Sequence, residues 1–280
     1  MNYVEYGKEN SDVIILLHGG GLSWWNYKEV AERLQTDYHV VLPILDGHAG
    51  CDKQFTTIEN NALDIIEFVN SKLGGSVLMM GGLSLGGQIL LEILSQRKDI
   101  CRYAIVESVL VIPSKFTYSM IKPAFGSCYG LIKYKWFSKL QFKSLRIKSN
   151  LFDEYYKDTC AIRKSDMIAF LQENSVYSLK DGIGECEATV QIYVGEKEKQ
   201  TSVYKGYKQD KIEMRGDRAE MSDFPLYLNT VAGGLDRRDQ TIGGFSFVVK
   251  IYALPVVEII GQLLYLLGRY GFNAQFGDCL

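Results

Sequence analysis

Apolar positions in the first two-thirds of the chain gather into short unbroken runs. These are Val13–Leu17 (VIILL), His39–Leu45 (HVVLPIL), Val77–Met80 (VLMM), Arg102–Ile112 (RYAIVESVLVI) and Thr189–Val194 (TVQIYV). They are rich in β-branched residues and do not alternate with polar ones. That pattern predicts strands covered on both faces, as in a parallel sheet. Between the runs the apolar spacing is helical. Thr56 and Glu59 fit a capping box ahead of Ile58, Ala62, Ile65, Ile66 and Val69, and Leu85, Ile89, Leu90, Ile93 and Leu94 form one apolar face. Strands alternating with helices predict βαβ units with right-handed crossovers.

Residues 113–186 break the alternation. They hold 13 of the 34 aromatic residues, and from Pro113 to Asn150 there are eight Lys or Arg and no Asp or Glu. A helical cap is predicted here, inserted between two strands, with a basic face. The core is then 1–112 with 187–210, and 211–280 is a tail of uncertain structure. The tail differs in composition: residues 1–210 carry 19 Lys and 5 Arg, residues 211–280 carry 2 Lys and 5 Arg. Its apolar stretch Phe245–Leu267 is long enough to span a bilayer, but Lys250, Pro255 and Glu258 argue against that.

Composition narrows the class. The 280 residues are 47% hydrophobic and 23% charged, as in soluble globular proteins, and the net charge of −2 lacks the basic excess of a nucleic-acid binder. The six Cys form no CxxC pair and there are three His, so neither a structural metal site nor a disulfide framework is expected. The start MNYVEYGKENSD reads as no signal peptide, and a cytoplasmic location is the expectation.

Two motifs carry chemistry. Gly82-Leu83-Ser84-Leu85-Gly86 is a GxSxG directly after a buried run and directly before an apolar helix. A serine on such a tight turn is pushed out of the sheet, and side chains at 82 and 86 would collide. The helix behind it offers its dipole and free N–H groups to a developing oxyanion. The second motif is His18-Gly19-Gly20-Gly21, after the first run. Its backbone N–H groups, at Gly20 or Gly21, would complete an oxyanion hole with the N–H of Leu85. No GK[ST] follows, which counts against a phosphate loop.

With LHGGG at 17–21, LDGHAG at 45–50 and GLSLGG at 82–87, the chain resembles the α/β-hydrolase superfamily, closest to capped bacterial serine esterases, over residues 1 to about 208. The resemblance implies an α/β-hydrolase fold, a mostly parallel sheet flanked by helices with a helical cap insertion. It implies Ser84 as nucleophile, elbow glycines at 82 and 86, and a triad acid at Glu198 in GEKE, with Glu107 as second choice. It implies a small-molecule ester or acyl substrate and no cofactor; a nucleic-acid partner is not expected, and a membrane surface is a lesser alternative.

One departure stands out. The family order is Ser, acid, His, yet His18, His39 and His48 all precede Ser84. His48 lies on the edge where the site forms and is the only conceivable substitute base, though in the family that position is structural, as is His18. A shifted reading frame or a divergent C-terminus would each account for the tail. The expectation is a serine hydrolase impaired by the missing His; the alternative is a non-catalytic small-ligand binding module on the same fold.

Overall fold

The computed structural model describes residues 1–145, 147–193 and 212–215. Among these described residues seven strands form one sheet: β1 (Asn2–Tyr6), β2 (Val13–Leu17), β3 (His39–Ile44), β4 (Val77–Leu83), β5 (Cys101–Glu107), β6 (Thr189–Tyr193) and β7 (Ile212–Arg215). Their spatial order is β1-β3-β2-β4-β5-β6-β7. Only β1 runs antiparallel, pairing Asn2 with Ile44 and Tyr6 with Val40. The other pairs are parallel. The helices are α1 (Lys28–Leu34), α2 (Ile58–Lys72), α3 (Leu85–Gln96), α4 (Lys115–Cys128), α5 (Lys135–Ser144), α6 (Phe152–Ala161) and α7 (Lys164–Val176).

The unbroken apolar runs follow from this layering. Ile14 and Leu16 enter one core with α1 residues Val30, Ala31 and Leu34, while Ile15 and Leu17 enter the other with α2 and α3. Along β2, β3 and β4 nearly every residue is buried whichever way it points, so nothing selects for polar alternation there. Helix α3 is buried along its first ten residues, Leu85 to Leu94. Each of its large apolar side chains contributes roughly 1.5–3 kcal/mol of burial. Its one central amide, Gln88, is satisfied: Nε2 donates to Leu110 O at 2.7 Å and Asn174 O at 2.9 Å, and Oε1 accepts from Asn174 Nδ2 at 3.0 Å. Unpaired, such a buried group would cost about 1–3 kcal/mol.

The structure shifts several expected boundaries. The N-cap of α2 is Thr57, whose side chain accepts from the Asn60 N–H at 3.0 Å; Thr56 instead accepts from the Asn60 side chain. The fourth run stops being strand at Glu107, because the chain turns away towards α4. β1 escaped the apolar pattern because it is an edge strand with its first two residues exposed. β7 lies past residue 210, inside the segment set apart as tail, and extends the sheet beside β6. Glu198 and the apolar stretch Phe245–Leu267 lie outside the described residues. Among the described residues, no helix is long and apolar enough to cross a membrane.

After β2 the chain pairs β3 on one side and then crosses to β4 on the other. At such a switch point the loops leave the carboxyl ends of neighbouring strands in opposite directions, and a crevice opens between them. The loops after β2 and β4 therefore meet at one place.

Glycine makes that meeting close. A Cβ on Gly86 would lie 2.3 Å from the Leu17 carbonyl oxygen and 2.6 Å from that of His18; one on Gly82 would lie 2.5 Å from Gly86 O. Gly86→Ala is expected to lower unfolding free energy by about 3 kcal/mol, since neither backbone can yield without parting α3 from β2. Gly126→Ala, in α4 with nothing within 4 Å of the added carbon, should be neutral or gain about 0.5–1 kcal/mol from helix propensity. Urea denaturation of both variants checks the contrast, and equal stabilities would contradict it.

Candidate active site

Ser84 is the single residue between β4 and α3, with φ 51° and ψ −111°. Only one other non-glycine residue, Ser108, has positive φ among the described residues. The left-handed region costs a non-glycine residue about 1–2 kcal/mol. Neighbours hold Ser84 there: its N–H donates to Glu107 O at 2.9 Å, and its own carbonyl accepts the Gln88 N–H at 2.9 Å. Gly87, which the GxSxG pattern does not include, is also constrained, because a Cβ would meet Val109 Cγ2 at 2.3 Å.

The β2 loop stands over the start of α3. A Cβ on Gly20 would lie 3.6 Å from Leu85 Cδ2 and 3.2 Å from Phe170 Cε2 of α7. The N–H groups of Gly20 and Leu85 donate to no protein acceptor among the described residues. Gly21 differs: its N–H donates to His48 Nε2 at 3.0 Å. Of the two glycine amides that sequence offered as oxyanion donors, Gly20's is open and Gly21's is occupied.

The histidines interlock the loops. His18, from the β2 loop, accepts the Leu45 N–H on Nε2 at 3.2 Å, and its Nδ1 faces Gly19 O at 2.9 Å. His48, from the β3 loop, accepts from Gly21 in return, and its Nδ1 faces Asp46 O at 3.0 Å. Accepting on Nε2 places the single ring proton on Nδ1, so both rings are neutral with both nitrogens used. The rings meet edge to face, 4.9 Å between centroids. Burial pushes the His18 pKa down to about 3, with the neighbouring His48 adding to the effect. Burial likewise lowers His48 to about 4, against the opposing pull of its backbone contacts and Asp166. Neither ring has a nitrogen left for a serine proton. His39 sits at the start of β3, paired with Glu5 at 3.0 Å and away from the crevice.

The inserted helices reach the same loops. Phe170 stacks on His48 at 4.8 Å, and Asp166 accepts the Phe55 N–H at 3.1 Å. Thr159 of α6 donates to Gly21 O at 3.3 Å, and the Trp25 indole donates to Asp158 at 2.7 Å. Sequence gave no sign of these contacts, because each joins positions over a hundred residues apart. Glu107 is buried at the end of β5, opposite Leu83. Among the described residues no group of three or more His, Cys, Asp or Glu is placed to hold a metal ion.

The lowered histidine values set an acid limit. The unfolded rings titrate near 6.5 and the folded ones near 4 and 3, so the unfolded state binds more protons below pH 6.5. Stability is therefore full above about pH 6.5 and falls as pH drops towards the folded values. Asp46, whose pKa burial raises, opposes the loss at the acid end. At about 1.4 kcal/mol per unit per ring, roughly a few kcal/mol should be gone by about pH 5. Urea midpoints between pH 7.5 and 5 measure it; a flat profile would contradict the buried neutral pair.

Comparison with known proteins fits this geometry. The chain shares its fold with solved structures of low identity. A serine hydrolase from Cycloclasticus zankles matches with TM-score 0.67 and 14% identity, over 84% of this chain and 95% of that one. A thermophilic esterase from Thermogutta terrifontis matches with TM-score 0.64 and 14% identity, over 84% and 90%. An enol-lactonase from Burkholderia xenovorans matches with TM-score 0.66 and 12% identity, over 84% and 96%. A search of curated proteins finds no match. The sequence pattern of the alpha/beta hydrolase family matches residues 14–181, more than half of the 280, and the chain belongs to that family.

Proposed function

We propose that the chain is a serine hydrolase for small or medium carboxylic esters, held back by the lack of an imidazole base. The single observation that carries this reading is Ser84 alone between β4 and α3 at φ 51°, a strained position whose hydroxyl makes no capping hydrogen bond. Ser84 Oγ attacks the ester carbonyl. The N–H groups of Gly20 and Leu85 take the charge that develops on its oxygen, with the α3 dipole behind them. The helical insertion, residues 113–186, serves as the cap, with α6 and α7 seated on the glycine loop. Glu198 is the proposed acid, with Glu107 the second choice. The chemistry calls on no cofactor.

Attack requires a base to take the hydroxyl proton, and release requires an acid for the leaving alkoxide. His18 and His48 have no free ring nitrogen, and no residue after Ser84 is His. Losing one triad member leaves about 10³–10⁴-fold acceleration over water from the oxyanion hole and binding. The missing base also supports a second reading, a small-ligand binding module on the same fold.

Turnover of p-nitrophenyl acetate separates the two. The chain is expected to turn over slowly, with the excess rate lost in Ser84→Ala. That excess should climb about tenfold per pH unit through neutrality, because no group of imidazole pKa feeds the serine. A plateau with an apparent pKa near 6.5–7 would reveal a working base; if His48→Ala removed it while the fold stayed intact, His48 would be that base. A rate unchanged in Ser84→Ala would favour the binding module.

A further inference from the structure

Outside the crevice, the most unusual surface lies at α5. Phe137, Ser138, Gln141 and Phe142 turn inward, and the opposite face is left uncovered. There Tyr134 is 58% exposed, Trp136 59% and Leu140 39%. The Trp136 ring meets the buried Phe137 edge to face at 5.7 Å, yet most of it stays in water beside an exposed tyrosine. Trp136 and Leu140 are four residues apart, so they share one stripe of the helix. Lysines interleave them: Lys133, Lys135 and Lys139 are all exposed. None of the three has an ion-pair partner among the described residues. Two of them lie over rings of α6, Lys135 over Tyr156 at 5.5 Å and Lys139 over Phe152 at 5.6 Å. No acid occurs anywhere from Pro113 to Asn150, in a chain of net charge −2.

We propose that this face of α5 docks on an anionic lipid surface. The charge is complementary to acidic headgroups and runs against the sign of the chain as a whole. Trp and Tyr place an apolar body at the acyl boundary and a polar edge at the headgroups, and lysine stems extend past them to the phosphates. α5 is ten residues long, so the contact is peripheral. A second copy of the chain is the competing occupant; it would need an acidic face to meet the lysines. The proposal is independent of the chemistry at Ser84.

Co-sedimentation of the full chain with phosphatidylserine-containing vesicles tests it, with phosphatidylcholine vesicles as the neutral control. Binding to the anionic vesicles alone is expected, lost at high salt because exposed charges are screened. The triple variant Lys133→Gln, Lys135→Gln, Lys139→Gln should bind at least tenfold more weakly, with an unchanged circular dichroism spectrum. Vesicles should blue-shift the tryptophan emission of the wild-type chain, and Trp136→Phe should abolish that shift. Absence of binding at low salt would overturn the proposal, as would binding untouched by the lysine substitutions. Self-association in sedimentation equilibrium that Trp136→Ala abolishes, without vesicle binding, would assign the face to a second copy instead.

Discussion

The chain passes from β4 to α3 through one residue, and the rest of the site is arranged around that constraint. A strand and a helix can follow each other so abruptly only if the linking residue adopts positive φ and the residues two away on either side have no side chains. Ser84 supplies the first at a cost of about 1–2 kcal/mol. Glycines at 82 and 86 supply the second, allowing α3 to lie against the Leu17 and His18 carbonyls. The burial of α3 between the sheet and α2 offsets the strain. The serine carries that strain while its hydroxyl makes no capping hydrogen bond to α3, and its placement favours a chemical role over a structural one.

The two loops beside it are fixed by exchange. The β2 loop lends His18 to the β3 loop and receives His48 from it, each ring accepting one backbone N–H. The exchange fixes the glycine loop so that Gly20 is left with an open amide. It also spends the only imidazoles near the crevice. The same hydrogen bonds that order the glycine loop therefore leave neither ring a nitrogen to act as a base. The inserted helices close the arrangement, Phe170 stacking on His48 and Thr159 bonding to Gly21.

Much of this was legible in the sequence. Strands β2 to β5 declared themselves because both faces of each are largely covered, and the tight β4–α3 turn because glycine spacing records a backbone collision. β1 was hidden by its exposure at the sheet edge, and β7 by its position within the compositionally distinct tail. The α2 cap fell one residue later than expected because two adjacent threonines compete for the same role, and Thr57 takes the backbone bond. The occupancy of Gly21, the Gln88–Asn174 pair and the Asp166 contact depend on residues brought together only by the fold. No local pattern encodes such pairings, and that the Gly21 N–H is occupied while Gly20's is not could not have been read without them.

The central claim is a presented serine with oxyanion donors and no base. The most direct test is the rate at which a fluorophosphonate modifies the chain, read by intact mass and mapped to Ser84, with and without added imidazole. The account predicts slow modification in buffer, acceleration when imidazole supplies the missing base, and no modification in Ser84→Ala. Rapid stoichiometric modification of Ser84 without imidazole would contradict it.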